Sequence, residues 1–105
     1  MAFDALEIAL QIIRQLRPLI GKIAEHDRDL ARQVRRSGPS IAQNLAEGRA
    51  RGGRDRRFLY TVAAGSAAET DVALRIAIAL GYIAEADEAL VLLDRVKAMC
   101  WRLTH

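Results

Sequence analysis

Apolar positions along the chain recur at alternating steps of three and four, the spacing that keeps side chains on one side of an α-helix. Four such stretches follow one another. In the first, Leu6, Leu10, Ile13, Leu16, Ile20 and Ile23 make a stripe widened by Ile12 and Leu19, while Glu7, Gln11, Arg14 and Gln15 face away. In the second, Leu30, Val34, Gly38, Ile41 and Leu45 share a side, with Arg32, Arg35, Gln43 and Ala46 turned from it. The third is the longest: Phe58, Val62, Gly65, Glu69, Val72, Ile76 and Ala79 form a seam that holds for about six turns. The fourth sets Leu90, Leu93, Val96, Cys100 and Leu103 on one face. No stretch alternates with the period of two expected of a strand. The pattern predicts helices over approximately residues 4–24, 28–48, 54–80 and 85–103, each burying its stripe against the others.

The residues between the stripes punctuate them. Asp4 is placed to cap the first helix, with Glu7 reaching back to the cap amide and Phe3 stapling onto Ile8. Asp27 or Asp29 can cap the second. Pro18 and Pro39 each remove an amide donor and crowd the carbonyl four residues earlier, which predicts a kink or split in the first two helices. Gly48 is positioned as a helix stop, Gly52 and Gly53 supply a tight turn, and Gly81 ends the third helix. Glu85, Asp87 and Glu88 fall in the first turn of the fourth, complementing the helix dipole. Connections this short force antiparallel neighbours, so the fold expected is an all-α, up-down-up-down four-helix bundle in one domain over residues 1–105.

Composition narrows the function. At 105 residues with 51% hydrophobic and 28% charged side chains, the chain suits one folded domain with a modest core. Its only cysteine, Cys100, permits no internal disulfide, which fits a reducing cytoplasm. Acidic residues occupy the place of a basic leader, and no apolar run nears the roughly 18 residues of a membrane span, so no membrane partner is expected. The net charge of +3 is unevenly placed: residues 28–57 carry nine arginines against Asp29, Glu47 and Asp55, a local +6.

Reactive chemistry finds little support. His26 and His105 stand apart from other ligand types, neither Ser66 nor Cys100 has a histidine near it, and Gly52-Gly53 lacks the Lys-Ser/Thr of a phosphate loop. No catalytic residue, metal site or cofactor is expected, and an enzyme is disfavoured. Glu69, on an apolar seam, needs a partner; Arg36, Asn44, Glu47 and Glu69 form a candidate polar cluster that sets the register of the second and third helices, within a protomer or across a subunit contact.

Read together, Arg35-Arg36, Ser40-Ile41, Asn44-Leu45-Ala46-Glu47-Gly48, Arg51, Phe58-Leu59-Tyr60, Gly65-Ser66, Glu69 and Leu80-Gly81-Tyr82-Ile83 resemble the 23S rRNA intervening-sequence protein family, also called the four helix bundle protein family. That resemblance covers nearly the whole chain. It implies an antiparallel four-helix bundle assembling into a ring-like homopentamer, from a bacterium, with no established biochemical activity. Family members usually carry proline just after the Ser-Ile pair, where this chain has Ala42 and places Pro39 earlier; they usually cap the third helix with Ser or Thr, where it has Gly52-Gly53.

Arg32, Arg35, Arg49, Arg51, Arg54 and Arg56 are the candidate nucleic-acid-binding residues. Five protomers presenting the second loop at one rim would assemble roughly twenty or more guanidinium groups, enough to hold RNA or DNA by its phosphates without sequence preference. The alternative is that these arginines serve ion pairs with nearby acids, leaving a structural protein–protein interaction module that binds no nucleic acid.

Overall fold

In the computed structural model, which describes residues 3–105, four helices follow in order: α1 (Asp4–Ala24), α2 (Arg28–Ala50), α3 (Gly53–Ala79) and α4 (Asp87–Thr104). No strand occurs among the described residues. At about 1.5 Å per residue, the 27 residues of α3 span about 40 Å, which accounts for the long dimension of a 42 × 22 × 21 Å rod. Loops at 25–27, 51–52 and 80–86 are too short to let successive helices run parallel. α1 packs against α2 and α4, and α3 against the same two, so α1 and α3 occupy opposite corners of a square. The fold is the all-α four-helix bundle that the periodicity predicts.

The helix ends refine several expectations. Asp27 caps α2 by accepting the Leu30 amide at 2.9 Å. Asp4, by contrast, is the first residue inside α1; Phe3 occupies the cap position without a side-chain bond, and its ring lies 5.9 Å from Tyr60. The capping box is therefore not formed. Neither proline breaks its helix, since α1 runs through Pro18 and α2 through Pro39. Pro18 lies on an exposed face with Arg14, and Arg35, four residues before Pro39, is also exposed, so water can reach the carbonyls that lose a donor. Glu85 lies before α4 and accepts the Asp87 amide at 2.7 Å, outside the helical turn assigned to it. Gly81, at φ 78°, closes α3 as expected.

Gly48 does something other than stop α2, which continues to Ala50. A β-carbon at position 48 would sit 2.9 Å from the Tyr60 ring and 3.2 Å from the Leu59 β-carbon, so glycine lets α3 approach closely. Along the rest of that crossing the chain again uses small residues. Ala63, Ala67 and Ala73 are buried on α3, and Ser37 and Ala42 on α2. The larger core side chains come mainly from the other helices: Ile12, Leu16 and Ile23 of α1, Val34, Ile41 and Leu45 of α2, and Leu93 and Val96 of α4.

Candidate functional site

α3 buries a different face from the one its seam predicts. Tyr60, Ala63, Ala67, Thr70, Asp71, Leu74 and Ala77 point into the bundle. On the far side, Phe58 is 64%, Val72 57% and Ile76 42% exposed, and Leu80 at the helix end is 57% exposed. The seam is real as a stripe but points outward. Apolar residues occupy two opposite sides of α3, and the smaller ones win the interior because they permit the close crossing with α2. Two positions predicted inside α1 and α4 are also partly exposed, Leu10 at 37% and Leu103 at 46%.

The predicted polar cluster is split. Arg36 pairs with Glu69 at 3.4 Å across α2 and α3, within one protomer, and both side chains are largely open to water. Glu47 turns instead to Arg51 at 3.1 Å. Asn44 donates to the Ser40 carbonyl at 2.8 Å and to its hydroxyl at 3.0 Å. α2 and α3 are linked by two hydroxyl pairs, Ser37 with Thr70 at 2.7 Å in the interior and the half-buried Ser40 with Ser66 at 2.9 Å. Hydroxyl pairs shielded from water contribute about 1 kcal/mol each and penalise any slip in register.

The buried acid of α3 is Asp71, not Glu69; the two lie about 200° apart around the helix. Its carboxylate receives Arg75 Nε at 2.6 Å and Lys97 Nζ from α4 at 3.1 Å. Burial by itself raises the Asp71 carboxyl, but the hydrogen bonds and charge of Arg75 and Lys97 outweigh it and hold it below the ordinary 3.8. Lys97 also lies 3.4 Å from Asp94. Sequence spacing could have suggested the Asp71–Arg75 pair, one turn apart; the Lys97 contact, 26 residues away, needed the fold.

The six candidate arginines are spread along α2, the α2–α3 turn and the first turn of α3. Arg35 and Arg49 are 14 residues apart on α2, about 21 Å along its axis. Arg32 pairs with Asp29 at 3.4 Å. At the α2–α3 turn, Arg51 lies between Glu47 and Asp55, at 3.1 and 3.7 Å. Arg56 donates to the carbonyls of Gly48 at 3.2 Å and Arg49 at 3.1 Å, and so satisfies the C-terminal end of α2. The Arg49 guanidinium rests 4.9 Å from the centre of the Phe3 ring. Arg35 and Arg54 make no hydrogen bond or ion pair among the described residues, and nor does the neighbouring Arg57 side chain.

Among the described residues no three His, Cys, Asp or Glu side chains gather as metal ligands, and no helix is long and apolar enough to cross a membrane. Cys100 is buried, and that burial pushes its thiol up to about 11. Both histidines are exposed and stack on aromatic rings, His26 on Tyr82 at 5.1 Å and His105 on Trp101 at 4.3 Å.

No curated protein matches the chain. The fold is similar to a crystal structure of a protein of unknown function from the S23 ribosomal protein family of Bacteroides thetaiotaomicron. The similarity has a TM-score of 0.78 at 22% sequence identity and covers 95% of this chain and 94% of that one. The model of the 23S rRNA-intervening sequence protein family matches residues 3–102, and the chain therefore belongs to that family.

Proposed function

We propose that this protein is a non-enzymatic assembly module of the cytoplasm, which associates with further copies of itself through the outward face of α3. One observation carries the reading: α3 leaves Phe58, Val72 and Ile76, with Leu80 at its end, facing water as a stripe on the side away from its own core. An isolated exposed leucine is ordinary, whereas a stripe of large apolar side chains along one helix face marks a protein contact. The homopentamer implied by the family resemblance is the assembly size adopted. Native mass spectrometry tests it: a mass near five chains is expected, and a monomer at every concentration would overturn it.

Nucleic-acid contact is the second reading, supported by the unengaged Arg54 and Arg57 beside the α2–α3 turn. Its footing is narrower than the sequence implies, because Arg32, Arg51 and Arg56 already have partners. Gel retardation of RNA and DNA across salt concentrations decides it. Salt-sensitive retention that weakens in Arg54→Ala/Arg57→Ala supports phosphate binding, and no retention at low salt removes it.

A further inference from the structure

On the α1–α2 side of the bundle a groove of about 500 Å³ runs between the two helices. Its floor is apolar, built from Ile13, Leu16, Ile20 and Pro39. Gly21 keeps one end open, since a β-carbon there would meet nothing within 4 Å. Three guanidinium groups rim it: Arg14, Arg17 and Arg35. None of the three makes a hydrogen bond or ion pair among the described residues. An apolar trough edged by uncompensated positive charge fits an apolar ridge that carries negative charge.

Such a ridge exists on the same chain. The outward seam of α3 presents Val72 and Ile76 one turn apart, and the acid on that seam is Glu69, whose side chain stays 51% exposed beside its intramolecular partner Arg36 at 3.4 Å. We infer that the seam of α3 in one copy docks in the α1–α2 groove of the next, where the arginine rim competes with Arg36 for the exposed Glu69 carboxylate. This rests on the self-association reading and names the surface that receives α3.

The geometry fixes the type of contact. α3 stands at the corner diagonally opposite α1, so its seam points away from the side on which the groove opens. Two copies cannot place both seams in both grooves at once. Docking is head-to-tail, and such contacts close into rings or run on as filaments, whereas a two-fold dimer needs one self-complementary patch.

Two disabled variants test this. Gly21→Trp fills the groove where the protomer leaves open space, and Val72→Glu/Ile76→Glu charges the seam; both positions on α3 are exposed. Each variant alone is expected to sediment as a monomer with unchanged helical circular dichroism. Mixed in equal amounts they should give a one-to-one dimer and nothing larger, since only one intact seam and one intact groove remain. If Gly21→Trp loses its helical signal, Arg17→Glu/Arg35→Glu, at exposed positions, replaces it in the same mixture. A groove variant that assembles as the wild type does, or monomeric variants that fail to pair on mixing, overturns the groove assignment while self-association stands. A monomeric wild type overturns both.

Discussion

α2 and α3 are the two arms of one hairpin, yet their sequences speak with different clarity. α2 is apolar on one side, and Leu30, Val34, Ile41 and Leu45 are all buried as their spacing predicts. α3 is apolar on two opposite sides. Toward α2 it offers alanines, Ser66 and Thr70; away from the bundle it offers Phe58, Val72 and Ile76. The bundle takes the small side, because helices that cross closely bury more backbone and leave fewer voids than bulky side chains would allow. Hydrophobic size therefore tells which residues seek burial, while steric fit decides which of them the protomer itself buries.

The difference between the two sides of α3 can be broken by single substitutions. The largest effect is expected inside: Leu74→Ala, at a fully buried position, should cost about 2–5 kcal/mol in denaturant unfolding. Val72→Ala, two residues away and exposed, should leave the unfolding free energy of the dilute monomer nearly unchanged. Next comes Gly48→Ala, which drives a β-carbon toward the Tyr60 ring and the Leu59 β-carbon and should cost about 1–3 kcal/mol by overpacking.

The inner side of α3 also carries a pH dependence, through Asp71. Its folded carboxyl binds a proton less readily than the ordinary 3.8 of the unfolded chain, so its contribution is complete above that value. That contribution is lost as pH falls through the lower folded value. Asp71→Asn should flatten the acid limb of the stability curve below pH 3.8, read from chemical denaturation across pH. The smallest effect belongs to the exposed Arg36–Glu69 pair, where Arg36→Ala should cost no more than about 1 kcal/mol.

Most of the architecture was written in the periodicity. Four helices, their short antiparallel connections, the Asp27 cap and the Gly81 stop follow from local rules that act within one or two turns. The misread features all depend on what lies across a helix interface. Gly48 looks like a stop until Tyr60 is seen beneath it, and Glu69 looks like the buried acid until the α3 face turns and brings Asp71 to Lys97. The arginines look like a block in the sequence. On the helix they spread over about 21 Å between Arg35 and Arg49, and some are spent on neighbours: Arg56 on the open carbonyls of α2 and Arg51 on two acids. Linear density of charge does not report how much of it stays available to a partner.

The claim that the outward seam of α3 is covered by another copy is tested most directly by thiol labelling of Val72→Cys. Cys100, buried with its thiol pushed up to about 11, supplies a slow background. With the seam covered on assembly, maleimide reacts quickly at position 72 in dilute protein and progressively more slowly as concentration rises. Equal, fast labelling at every concentration would mean that the seam stays in water and that copies do not meet through α3.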